Sequence, residues 1–268
     1  MIGAIIGDIV GSIYEFENIK SKDFEFLSYD CFFTDDSVLT LAICEALLRY
    51  KNVGGDLSAI TVQSMQDIGN RYIAGYGGRF ADWLCSPNPK PYNSYGNGSA
   101  MRVSACAYVG KNIEEVRKYA SIVTSVTHNH PEGIKGALAT TDGIFLALSG
   151  NTKEEIRKHI IDTYYKIDFT LDAIRPTYSF DESCQGTVPQ AFEAFFESTG
   201  FEDAVRNAIS IGGDSDTLAA ITGSIAEAYY GVPGDLRKNA YEFLDNKLKR
   251  ILDNFEKEYP NSVINDKK

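Results

Sequence analysis

Cys-x-x-Cys spacing, phosphate loops and long apolar runs are missing from this sequence, strand-like alternation is nearly absent beyond Phe24-Glu25-Phe26, and each shortage removes a class of protein. The five cysteines (Cys31, Cys44, Cys85, Cys106, Cys184) are an odd set without Cys-x-x-Cys spacing. That fits reduced thiols in a cytosolic protein better than a disulfide framework or a zinc ribbon. No Gly-x-x-x-x-Gly-Lys-Ser/Thr phosphate loop occurs. No stretch is long and charge-free enough to span a bilayer, so no membrane partner is expected. Met1–Asp8 lacks the basic region and cleavage site of a signal peptide, which makes the cytoplasm the expected location. Positive charge is also scarce: 26 Lys and Arg against 37 Asp and Glu leave a formal net charge of −11. Such a balance argues against binding a nucleic-acid backbone or an anionic membrane. A phosphorylated small ligand stays open, because backbone amides and bound cations can offset the field locally.

What is present is core material and helical periodicity. The 268 residues are 44% hydrophobic and 24% charged, an ordinary globular composition for one large domain or two modest ones. Leu39, Ile43, Ala46 and Leu47 mark one face of a helix running from Asp36 to about Tyr50. Ile113, Val116, Ala120 and Val123 repeat the pattern, and Pro131 opens a helix that Gly150 stops. Thr152-Lys153-Glu154-Glu155 reads as a capping box. Further helices are expected near 188–198, 202–210, 216–230 and 235–259. Gly3, Gly7 and Gly11, four residues apart on a first helix, would let another helix backbone approach closely. Asp8 on that helix fits either a cap for a neighbouring element or a group behind an acidic site. Residues 75–98 and 168–185 read as loops lining a site. The fold class is all-α, and Asn261–Lys268 is a polar tail.

Two acidic clusters carry the chemistry. Phe33-Thr34-Asp35-Asp36-Ser37 and Gly212-Gly213-Asp214-Ser215-Asp216-Thr217 each place a threonine hydroxyl beside two aspartates, directly before an apolar helical run. Either alone is explained by helix capping. Together they hold more carboxylates than capping needs, and four aspartates in one pocket require cations to neutralise them. A metal-dependent hydrolase centre follows. Glu15 is a candidate for the same site, against the plainer reading of a solvated glutamate, with Glu17 close behind. Gly96-Asn97-Gly98-Ser99 is a tight turn feeding a helix, where a diphosphate could sit, although a plain turn explains it equally. His128-x-His130 lacks a thiol or third histidine for zinc, and ligand hydrogen bonding or helix capping suits it better. Cys184 as a nucleophile with His128 as base is a further reading, set against the tendency of free cysteines to be small buried hydrophobes.

Taken together, these segments resemble the ADP-ribosylglycohydrolase family, which includes dinitrogenase reductase-activating glycohydrolases and ADP-ribosyl-acceptor hydrolases. The resemblance runs through Gly7-Asp8, Gly11-Ser12, Glu15, the Thr34–Ser37 cluster, Gly96–Arg102, Thr127-His128, Gly186-Thr187 and Gly212–Thr217. It implies one compact multi-helix domain over residues 1–260 with a central cleft holding two divalent cations, Mg2+ or Mn2+. It assigns Thr34, Asp35, Asp36, Asp214, Asp216 and Thr217 to the metals. It places Glu15 at the family's glutamate near the metal centre, and Gly96, Asn97, Gly98, Ser99 and His128 at the ADP-ribose. The loops around 92–95 and 179–186 would frame the adenosine or the scissile ribose.

The implied reaction cleaves the bond between ADP-ribose and a protein side chain or small-molecule acceptor. Positive character develops at the ribose anomeric carbon, and nearby carboxylates stabilise it. Asp36 or Glu15 would position or deprotonate the water. A metal-dependent phosphoesterase and a non-catalytic ADP-ribose-binding protein are the alternatives. Product analysis separates the first, and the intact acidic set speaks against the second.

Overall fold

Ile2–Gly11 forms a helix (α1) with every residue buried, from apolar and small side chains broken only by Asp8. Its partner is Ser215–Tyr230, which we number α13 and which is buried through Ala228. The glycine spacing on α1 is what joins them. A Cβ at Gly7 would lie 2.0 Å from the Ala219 carbonyl oxygen, one at Gly3 2.4 Å from the Gly223 carbonyl oxygen, and one at Gly11 2.4 Å from Asp216 Cα. The two backbones therefore touch along their length, and the contact sets Gly11 beside Asp216.

Residues 1–260 are described by this computed structural model; the proposed tail, 261–268, lies outside the described residues. The remaining helices surround the central pair. They are α2 (Asp35–Val53), α3 (Leu57–Gly69), α4 (Gly78–Cys85), α5 (Gly98–Met101), α6 (Ala105–Val109) and α7 (Ile113–Ser125). Then follow α8 (Pro131–Leu148), α9 (Lys153–Thr163), α10 (Leu171–Ile174), α11 (Cys184–Phe196), α12 (Phe201–Ser210), α14 (Gly234–Tyr241) and α15 (Asn246–Glu258). Among the described residues there is no strand, only an isolated antiparallel bridge between Gly96 and Ser183. The fold is all-α, a single domain with one continuous core. No described helix is long and apolar enough to cross a membrane. Each fully buried Ile of α1 contributes about 1.5–3 kcal/mol relative to exposure.

Local chemistry explains most boundaries. Thr152 and Glu155 form the expected capping box of α9, and Pro131 occupies the first turn of α8 behind His130, whose Nδ1 accepts from Glu132 N at 3.1 Å. His130 is thus a cap. The helix expected over 235–259 is two helices, because Asp245 caps a new start by accepting from the amides of Lys247 and Leu248, both at 2.9 Å. The stretches read as loops contain α4 and α10, and α11 starts earlier than expected because Ser183 caps it at Gly186 N.

Candidate metal centre

The site begins with the buried acid on α1. Asp8 accepts from Thr34 N (3.0 Å), Thr34 Oγ1 (2.6 Å), Ser37 N (3.1 Å) and the Ser37 hydroxyl. It thereby satisfies donors at the start of α2 and fixes the direction in which that helix enters the core. Thr34 caps the same helix, its Oγ1 accepting from Asp36 N at 3.3 Å. Both readings of Asp8 hold at once: it caps a neighbouring helix, and it stands behind the acidic site.

The start of α13 supplies the other half. Gly212 and Gly213 turn the chain with φ of 68° and 81°, and a Cβ at Gly213 would strike the Tyr178 ring at 2.4 Å. Asp214, Asp216 and Thr217 follow. Oxygens of Asp8, Asp36 and Asp216 lie within 4.8 Å of one another, as do those of Glu15, Asp214 and Asp216. Asp216 belongs to both groups. Thr34 Oγ1 is 3.2 Å from Asp216 Oδ2, and Thr217 Oγ1 is 3.2 Å from Asp36 Oδ2, so hydroxyls from each cluster meet carboxylates of the other. Glu15 enters from the end of a 3-10 turn, Ser12–Tyr14. Asp35 lines the same cavity but belongs to neither close group.

Crowding shows in the acidities. Burial, and then Asp8, Asp35 and Asp214, hold Asp36 well above the usual carboxylate range. Burial, with Asp214 and Asp36 next, does the same to Asp216. Glu15 and Asp35 are each pushed up to about 7, first by burial and then by neighbouring aspartates. Asp36 Oδ1 is buried without a hydrogen-bond partner. Carboxylates crowded in this way could hold a metal ion.

The acids open on a cavity of about 360 Å³, also lined by Gly96, Asn97, Gly98, Tyr92, Arg102 and His128. Burial, then the cations Arg102 and Arg79, keep His128 well below its usual range. A family model described as ADP-ribosylglycohydrolase matches residues 1–262. The chain belongs to the ADP-ribosylglycohydrolase family.

Relatives agree with that membership, and a solved structure shares the fold. This ADP-ribosylglycohydrolase-family chain is 27% identical to the ADP-ribosylhydrolase ARH3 of Mus musculus, over 87% of this chain and 83% of that protein. It is 26% identical to the ADP-ribosylarginine hydrolase Tri1 of Pseudomonas putida, over 87% and 70%. It is 24% identical to the ADP-ribosyl-[dinitrogen reductase] glycohydrolase of Rhodospirillum rubrum, over 82% and 76%. A solved structure titled ADP-ribosylglycohydrolase-related protein complex superposes with a TM-score of 0.69 at 21% identity, covering 96% of this chain and 95% of that one.

Within this family fold, the residues expected at the ADP-ribose separate into two sets. Gly96, Gly98 and His128 face the cavity. Asn97 lines it too, but its side-chain amide donates to Asp214 Oδ2 (2.7 Å) and Thr187 Oγ1 (3.0 Å), so it orients a carboxylate. Ser99 lies beneath the turn, its hydroxyl 2.7 Å from Gly133 O and 3.2 Å from Cys184 Sγ. The helix after the turn, α5, has only four residues, and the Asn97 amide is taken by Glu182 O at 2.7 Å. The turn is therefore not a nest of free amides. Cys184 is no nucleophile: it is fully buried, and burial pushes its thiol up to about 12. Arg102 is the residue at the cavity to which sequence reasoning gave no role.

Proposed function

We propose that this protein hydrolyses the glycosidic bond between ADP-ribose and an acceptor, releasing ADP-ribose with the help of two divalent cations, Mg2+ or Mn2+. The observation that carries the reading is the pair of carboxylate groups sharing Asp216 on the cavity of a chain whose family match runs over residues 1–262. The donor set fits hard cations. Every group offered is a carboxylate or hydroxyl oxygen, and Asp36 Oδ1 is buried with nothing to bond. Thr34 has one proton and a carboxylate 2.6 Å away to receive it, and with one lone pair engaged by Asp36 N the other remains for a cation.

Thr34, Asp35, Asp36, Asp214, Asp216 and Thr217 would hold the ions. When bound, such ions neutralise the carboxylates, orient ribose hydroxyls and lower the pKa of water. The chain's own residues do the rest. Asn97 fixes the orientation of Asp214 through its 2.7 Å hydrogen bond. Glu15, half-buried at the cavity beside Asp214 and Asp216, is placed to exchange a proton with water there. Asp36 is the second carboxylate suited to that task. Gly96, Gly98 and His128 would receive the diphosphate. The substrate is an ADP-ribosylated protein or small molecule, with no nucleic-acid backbone or membrane partner. All five cysteines are free, which supports a reducing compartment such as the cytoplasm.

The test is a panel of substrates ADP-ribosylated on arginine, on serine and on small acceptors, incubated with protein and Mg2+. Free ADP-ribose from at least one of them is expected. Release of AMP or inorganic phosphate instead would make the protein a phosphoesterase.

A further inference from the structure

His128 faces the cavity with one ring nitrogen already committed. Arg102 Nη2 lies 2.6 Å from Thr127 Oγ1, which in turn lies 2.7 Å from His128 Nδ1. A guanidinium only donates, so the Thr127 oxygen accepts from Arg102, which leaves its own proton available to Nδ1. Arg102 Nη2 also approaches Nδ1 directly, at 3.4 Å. Arg102 can only donate and Thr127 is able to, so an accepting Nδ1 satisfies both neighbours and puts the ring proton on Nε2. Nε2 has no hydrogen-bond partner among the described residues. A Cβ built at Gly96 or Gly98 would lie 3.6 or 3.7 Å from it, and both glycines line the cavity. The Nε2–H thus opens on the cleft beside a turn without side chains.

Arg102 is unusual in its own right. It is 1% exposed, its Nε is buried without a partner, and it forms no ion pair among the described residues. The Asp35 carboxylate on the same cavity acts on it through its field but makes no ion pair with it, and a buried cation without an ion pair is costly unless an anion comes from outside the chain. The other charged or titratable groups facing the histidine are Arg79 and Tyr92, whose ring centroid is 6.1 Å from that of His128. None of them supplies a negative charge at neutral pH.

Resting on the ADP-ribose reading above, we propose that Arg102 and Thr127 are positioning residues that fix His128 as a neutral Nε2–H donor to a phosphate oxygen of the nucleoside diphosphate. Arg102 performs two tasks in this arrangement: it sets the direction of the hydrogen-bond chain, and it brings a positive charge next to the bound phosphates.

Two measurements on the full chain test this. The first is nitrogen NMR of the ligand-free protein, with the His128 signals assigned through a His128→Gln variant. An Nε2–H tautomer is expected in the wild type, and an Nδ1–H tautomer would overturn the proposal whatever the protein binds. The second is calorimetric binding of ADP in the presence of Mg2+. Thr127→Val and Arg102→Met are expected to weaken ADP by about tenfold or more, while Thr127→Ser and Arg102→Lys stay within about threefold. A folded Thr127→Val protein, with unchanged melting temperature and Mg2+ response, that binds ADP like the wild type contradicts the relay. Should a variant fail to fold, the wild-type tautomer and the Thr127→Ser comparison still decide. If wild-type protein binds neither ADP nor ADP-ribose, the functional reading fails, and the tautomer result stands apart from it.

Discussion

Asp8 and Asp216 belong to one carboxylate group, but their hydrogen bonds give them different tasks. Asp8 accepts from two amides and two hydroxyls, which uses the capacity of both its oxygens. Asp216 accepts from Thr217 N at 2.9 Å and otherwise faces the shared site. Asp216→Ala is expected to abolish turnover and most of the Mg2+-dependent rise in melting temperature. Asp8→Asn is expected to cost about 1–3 kcal/mol of stability even in chelator, because an amide cannot accept all four bonds. Thermal melting with and without chelator separates the two effects. The aspartates of the two clusters were legible in the sequence because each cluster is contiguous and repeats the other's chemistry. Asp8 was legible only as either a cap or a group behind the site, and Asn97 only as part of the turn that the family resemblance places at the ADP-ribose. Their partners lie 26 and 117 residues away, and no local pattern carries such a pairing.

At the scale of the element, glycine and capping decide what forms. The Gly3, Gly7 and Gly11 spacing announced a close helix contact, and the contact with α13 is the one that aligns the site. Gly7→Ala would drive a Cβ to 2.0 Å from a backbone oxygen, which no rotamer change relieves. A loss of at least about 3 kcal/mol, or failure to fold, is expected. Gly234→Ala, with nothing within 4 Å, is expected to stay within about 0.5 kcal/mol of wild type in the same denaturant titration. Near the start of α12, burial opposes ionisation of Asp203, but Lys22 and the amide and hydroxyl of Thr199 outweigh it and lower its pKa. A depressed carboxyl stabilises the fold above its unfolded pKa, and that contribution is lost as pH falls through the folded value. Asp203→Asn should therefore melt about 1–3 °C below wild type at pH 7, with the gap closing below about pH 3. Helices with an apolar stripe and a clear cap were readable. Leu57–Gly69 was not, because its buried face mixes Thr61 and Ser64 with Leu57, Met65 and Ile68.

For the whole molecule, the decisive event is the pairing of the chain's first helix with α13, which joins residues more than 200 positions apart. It brings Thr34 to Asp216 and Thr217 to Asp36, so the acidic centre exists only in the folded domain. In the unfolded chain those carboxylates are separated and hydrated. Folding crowds them, and cations that bind only the folded state stabilise it by mass action. Under the proposed function, the same crowding would tie activity to the ions. The most direct measurement is release of ADP-ribose from an ADP-ribosylated substrate by thoroughly chelated protein, before and after Mg2+ or Mn2+ is restored, with product identity read by mass. The expected result is no release in chelator, recovery with either cation, and no recovery in Asp216→Ala. Turnover that persists in chelator, or a product cleaved at the diphosphate, would contradict the account.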